Sequence, residues 1–365
     1  MNKTLPLPLA EKTRIVDWGF ENLSLQEVQI PKIDVSNFVP KDAKNAIVVC
    51  NGDIIHKNLE NSIIVDTLVP LELVKESNRL ISLNMQNFNS CLNVKVAKNF
   101  KPEEPLYITY IAKGRSLVHR SLITLETGSQ LELVETFVSD EKINANIIGK
   151  VNIMPNANLR ASTINSLNGE SVVYYHKITE VDEFSSLESA NFIINNSNVV
   201  VEDFTHLIGD GSEANVATVA LANNKQKQNI TIRVENLAPY SNGNIINYGV
   251  VKDDAHLAFN GIGKIHKGMN GGDNQQESRV LNLSRTAEAI ANPFLLIDEG
   301  DITAGHAASI GQIDEDQVYY LMSRGMSKAV AEKLIVSGFL VPFVKKIRSE
   351  TLTEQLLNSI EKKLS

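Results

Sequence analysis

Nine side chains in this sequence carry metal-binding or thiol chemistry: Cys50, Cys91, and histidines 56, 119, 176, 206, 256, 266 and 306. Two cysteines cannot hold an iron–sulfur cluster alone, because such clusters normally take four ligands, mostly thiolates. Their isolation also excludes a disulfide framework and any Cys-x-x-Cys zinc or redox motif. Both read as small core hydrophobes. Most of the histidines stand alone among strand-like runs, where a hydrogen-bonded or solvent-facing imidazole is the plain reading. His306 differs in setting. It lies in a run of small residues between Asp301 and Gly311, which lets another backbone or a cluster come close. Imidazole suits iron and zinc, so His306 is the candidate metal residue.

Other chemistries lack their residues. There is no phosphate-binding Gly-x-x-x-x-Gly-Lys-Ser/Thr, so the chain is not itself a P-loop ATPase. The glycines 261, 263 and 268 have the wrong spacing for a dinucleotide fingerprint and lie amid strands. No His-Glu-x-x-His and no Gly-x-Ser-x-Gly occurs, and the segment from Asp210 to Glu213 is too short for a calcium loop. The formal net charge of −8 argues against a general nucleic-acid surface. The first twenty residues have no sustained apolar stretch of the secretory kind, and no apolar run reaches membrane-spanning length. The expectation is a cytoplasmic, soluble protein.

Three textures position these residues. Residues 1–83 are mixed α/β: Ala46–Cys50, the Asn51-Gly52 pair and Asp53–His56 predict a hairpin with a type I′ turn, and 59–80 predict helix and loop. Residues 84–310 carry short β-branched runs separated by Gly, Asn, Asp and Ser, with no sustained helical period. Here the chain repeats itself. Leu131, Leu159 and Leu187 recur at intervals of 28, with weaker echoes at Ala214 and Leu257. A fixed period of strand, polar turn and strand predicts a β-solenoid, whose units bury their apolar faces only by stacking. A sandwich or barrel is the alternative, but it predicts hairpins rather than a repeating phase. Residues 311–365 predict helices. Asp314 caps the first and Gly325 ends it. Ser327 caps the second, with Val330, Leu334 and Ile335 on one stripe. Pro342 marks a break or a new first turn, and Leu352, Leu356, Leu357, Ile360 and Leu364 line the last. Packing against the solenoid end explains these helices, and so does docking of a partner.

The segments Phe259–Lys264, Asp273–Ser278, Asn292-Pro293, Leu296–Asp298 and Gly305–Gly325 together resemble the SufB/SufD family of iron–sulfur cluster assembly proteins, on the SufD side of that family. The resemblance runs from about residue 84 to the C-terminus and is densest between 259 and 340. It implies a right-handed parallel β-helix with a less regular N-terminal part and a C-terminal helical part. It implies a non-catalytic scaffold in the SUF system, paired with a SufB-like paralogue and bound to a SufC-like ABC-type ATPase through the C-terminal helices. Gln317, Tyr320, Arg324 and Leu334 represent that docking region. His306 would work with a cysteine of SufB on a transient, shared iron–sulfur cluster at the SufB–SufD interface. Any reduced flavin would act at the level of the complex, with no cofactor stably held by this chain and a homodimer formed by the chain in isolation. Members often carry a cysteine two residues before the histidine. Here that residue is Ala304, which removes a thiolate from this side. A SufB-type paralogue would carry cysteine or glutamate there.

Two rivals differ in class. A β-helix carbohydrate-active enzyme needs clustered carboxylates on adjacent rungs, and the sequence offers only scattered acids such as Asp253 and Asp254. A purely structural interaction solenoid differs from the scaffold reading only at His306.

Overall fold

The computed structural model describes residues 5–30, 32–71, 73–167, 171–344 and 350–364. In chain order its elements are β1 (Asn45–Cys50), β2 (Asp53–Asn58), β3 (Ile63–Asp66), α1 (Arg79–Asn87), β4 (Ser90–Val96), β5 (Leu106–Ile111), β6 (Leu117–Leu125), β7 (Gln130–Ser139), β8 (Ala145–Ile153), β9 (Asn158–Leu167), β10 (Val172–Val181), β11 (Ser186–Ile193), β12 (Asn198–Leu207), β13 (Glu213–Ala222), β14 (Lys227–Asn236), β15 (Asn242–Val251), β16 (His256–Ile265), β17 (Gly272–Asn282), β18 (Glu288–Ile297), β19 (Ile302–Gln312), α2 (Glu315–Ser323), α3 (Lys328–Val344) and α4 (Glu350–Leu364). One sheet has the order β19-β17-β15-β13-β11-β9-β7-β5-β1-β2, the other β18-β16-β14-β12-β10-β8-β6-β4-β3. The chain therefore alternates between two faces and climbs one rung every two strands. This is a parallel β-solenoid of about eight turns followed by helices.

The repeat of leucines is one column of that stack. Leu131, Leu159, Leu187, Ala214, Gly243, Asn274 and Ala304 pair in succession. They face inward, and the apolar members join one continuous core. Each buried leucine contributes about 1.5–3 kcal/mol of transfer free energy, which no rung could gain unstacked. The echo at Leu257 belongs elsewhere: Leu257 pairs with Gln228 on the other sheet, and Gly243 holds the place in the column. Both strands of a turn share one texture, so a sequence match cannot tell the two faces apart.

The N-terminal part differs in detail from the sequence expectation. The hairpin is present, with Asn51 and Gly52 at φ 50° and 98°, the positive values a type I′ turn requires. Yet β1 also pairs in parallel with β5, so the sheet extends well before residue 84. Within 59–80 the structure places a strand, β3, antiparallel to β4. The helix comes later: Asn78 caps α1 by accepting from the backbone of Leu80 and Ile81, and α1 runs across residue 84.

The C-terminal helices do not cover the solenoid end. Val336, Leu340 and Phe343 of α3 and Leu356 and Ile360 of α4 pack on Phe192, Val219 and Val250. Those three point outward from the first sheet. The Tyr248 ring lies tilted, 4.8 Å from that of Phe339 and 4.4 Å from that of Phe343. A flat sheet face offers far more apolar surface than one pair of end strands, and the helices take it. The stripe of Val330 and Leu334 is consequently on the free side, each 51% exposed. Pro342 interrupts nothing; it lies inside α3 near its end. Leu352 belongs to α4, but its side chain falls outside the described residues.

Candidate functional site

The open end of the solenoid is formed by β18 and β19. β19 is an edge strand of eleven residues, with no proline and no charged side chain unless His306 is protonated. From Gly305's neighbour His306 through Gln312 every residue is exposed. Edge strands are ordinarily protected by charge, proline, shortness or a covering element, because a bare row of N–H and C=O groups templates further pairing. β18 has such a guard in Pro293, opposite Gly261. β19 has none. Phe294, Leu296 and Ile297 of β18 and Ile310 of β19 are also exposed.

His306 stands in the inward-facing register of β19. It pairs with Gln276, which pairs with Ile245, so its column leads down into the core past Val216, Ser189, Ala161 and Leu133. The rung beneath it is polar. Asn274, Gln276 and Ser278 of β17 are buried with Asn247 of β15. Gln276 Nε2 donates to the carbonyl of Phe294 at 2.8 Å, Asn274 Nδ2 to Asn236 Oδ1 at 2.8 Å, and Asn247 Nδ2 to Ser278 Oγ at 3.2 Å. Gln276 Oε1 and Asn274 Oδ1 have no partner. Gly261 and Gly263 make the room for these amides: a Cβ on Gly261 would meet Gln276 Oε1 at 2.6 Å, and one on Gly263 would collide with Asn274 Oδ1.

The polar interior continues downward. Glu135, Thr163, Asn191, Thr218, Asn247 and Ser278 form one inward column ending beneath Ala308. Lys177 reaches Asp203 across this column at 3.0 Å, and Asn191 donates to the same carboxylate at 3.0 Å. Burial pushes the Glu135 carboxyl up, and the Tyr110 hydroxyl donates to it at 3.4 Å.

Four of the other histidines are engaged elsewhere. His119 is fully buried beside Ser90 Oγ, 2.8 Å away, and desolvation holds its imidazole down to about 3. His176 lies 3.3 Å from Glu202 and His266 2.7 Å from Glu235. His256 bridges Thr13 Oγ1 and Glu288, each 2.9 Å away. The cysteines are remote from His306. Cys50 lies on β1, eight strand spacings or roughly 38 Å along the stack, and Cys91 lies on β4. Burial raises both thiols. Among the described residues no group of three or more His, Cys, Asp or Glu could hold a metal ion. The described residues thus give His306 no second ligand.

The other expected site residues lie on the helices. Asp314 accepts from the backbone of Asp316 and Gln317. At the far end of α2, Gly325 (φ 93°) donates to Met322 O and Met326 to Leu321 O, a Schellman ending that turns the chain sharply into α3. The Arg324 guanidinium stacks 5.2 Å over the Tyr320 ring, and Nη2 donates to its hydroxyl. Gln317 is exposed on the same helix. Tyr319, Tyr320, Met322, Val330 and Leu334 are exposed large apolar side chains on α2 and α3. The structure brings Tyr320 and Arg324 together and Leu334 onto the adjoining helix; it places none of them against His306. Reading the sequence alone missed the buried amides under His306, although their motif and the glycine motif that accommodates them were both visible.

Comparison with known proteins bears on this arrangement. A family model described as SUF system FeS cluster assembly, SufBD core domain, matches residues 108–339. The iron–sulfur cluster assembly protein SufD of Bacillus subtilis (strain 168) is 33% identical, covering 99% of this chain and 91% of its own length. That of Escherichia coli (strain K12) is 24% identical, over 75% of this chain and 67% of its own. A SufBD family protein of Mycobacterium leprae is 25% identical over 64% of this chain and 27% of its own length. No described helix is long and apolar enough to cross a membrane.

Proposed function

The chain belongs to the SufB/SufD family of iron–sulfur cluster assembly proteins, and on that premise we propose that it is a non-catalytic half of a two-part scaffold. Its open edge, β19, pairs with the edge of a cysteine-bearing SufB-like paralogue, and His306 faces the seam. The nascent cluster is cargo, shared between this imidazole and the paralogue's thiolates. The single observation that carries this reading is the unguarded edge strand with His306 in its inward register. A histidine with no second ligand among the described residues suits a shared site.

The exposed patch of Tyr319, Tyr320, Met322, Val330 and Leu334 supports docking of a SufC-like ABC ATPase on α2 and α3, with Gln317 and Arg324 at its rim. ATP-driven closure of that partner would pull on the helices and shift the equilibrium of the seam. The same edge would pair with its own copy when no other partner is present, giving a homodimer of the chain in isolation. The working place of such a complex is the cytoplasm.

Replacing His306 by Ala leaves the backbone edge intact. The expected result is a complex that still co-purifies with both partners but fails to load clusters, read by iron and sulfide content and visible absorption. Normal cluster loading by that variant would remove the assigned role.

A further inference from the structure

Helix α4 closes a cavity of about 420 Å3 against the turns of the solenoid, lined by Asn196, Asn223, Asn224, Ser359, Lys362 and Lys363 among others. Among the described residues the lining holds two lysines and no carboxylate. Lys363 is 6% exposed. Its Nζ donates to the Asn195 carbonyl and, at 2.8 Å, to Gln226 Oε1. An ammonium has three donors, so one is left over. Acids of the neighbouring segments are committed: Asp253 accepts the Asn224 N–H at 2.9 Å, and Glu361 pairs with Lys333 at 3.2 Å. Burial alone lowers the Lys363 amine, to about 7, as expected where no counter-charge is supplied.

One amide completes the site. Asn223 holds the helix by donating to the Lys363 carbonyl at 2.8 Å, while its Oδ1 is buried and lacks a donor. A bare anion satisfies spare donors but not a spare acceptor. An oxyanion that keeps a proton satisfies both kinds.

We propose that this cavity binds hydrogen phosphate, the free ion that still carries a proton near neutral pH. Its charged oxygens accept from Lys363 and Lys362, and its hydroxyl donates to Asn223 Oδ1. Sulfate, with no proton to give near neutral pH, leaves Asn223 unfilled. The site stands apart from the cluster-assembly reading and holds or falls without it.

The test uses the intact chain and follows the Lys363 side-chain resonance by carbon NMR as inorganic phosphate, sulfate or chloride is added at matched ionic strength. Saturable binding of phosphate raises the pH midpoint of Lys363 by about one unit, a tenfold gain in proton affinity. Sulfate binds about tenfold more weakly, the difference one hydrogen bond to a charged group makes. Lys362→Gln, an exposed position whose change spares the fold and the Lys363 signal, weakens phosphate several-fold; Lys363→Met abolishes binding. An AMP arm at pH 7.5 tests the proton itself: the monoester, with a second pKa of about 6, has no phosphate proton left and binds as weakly as sulfate, and binding equal to phosphate overturns the proposal. No shift beyond that of chloride, or equal shifts with phosphate and sulfate, overturns the proposal.

Discussion

His119 shows what the interior of the solenoid demands of an ionisable side chain. It is fully buried, with its ring 4.2 Å from that of Tyr110 and its Nδ1 on Ser90. Desolvation lowers it from 6.5 to about 3, so the unfolded chain takes up a proton that the folded chain refuses. Stability from this residue is therefore complete above about pH 6.5 and is lost as the pH falls toward 3. His119→Phe is expected to lose less stability than the parent over that window, measured by urea midpoints; parallel curves would refute the buried-neutral assignment. His306 is on the same kind of inward register, but no rung lies above it. The sequence distinguished the two histidines by their neighbours: strand-forming residues around His119, small ones around His306. It could not show that Gln276 lies opposite His306, because residues thirty positions apart become neighbours only through the stack.

At the scale of elements, the repeat made the strands legible and the two faces ambiguous. Leu131, Leu159 and Leu187 gave the correct period because their column is apolar for three rungs. The column then turns to Ala214, Gly243 and Asn274, and periodicity based on apolar residues fades where the interior becomes polar. Leu159→Ala is expected to cost about 3 kcal/mol in chemical denaturation, the price of a cavity in a packed column. Gly261→Val is expected to destabilise the C-terminal rungs, since its side chain would occupy the place of the Gln276 carboxamide. Amide exchange should accelerate in β16–β18 and stay unchanged in β6–β10; a uniform effect would contradict the local fit. The caps of α2 were legible because they are local, Asp314 and Gly325 acting within one turn of themselves. Which face of α3 is buried was not legible. Both faces carry apolar residues, and only the outward row of Phe192, Val219 and Val250, far away in the chain, selects Val336 and Leu340 over Val330 and Leu334.

At the scale of the whole molecule, the chain is apolar and filled at one end and polar and open at the other. The helices that might have covered the open end lie on a sheet face instead, and β19 is left without proline, fixed charge or cover. The family resemblance identified the His306 block; the exposure of the strand that carries it gives that block a physical reason to seek a second chain. The most direct measurement is hydrogen exchange of the β19 amides, with the chain diluted to monomer and then mixed with its cysteine-bearing paralogue. The account predicts fast exchange from Ile302 to Gln312 in the monomer and strong protection in the complex. A complex that forms while those amides continue to exchange at the monomer rate would contradict it.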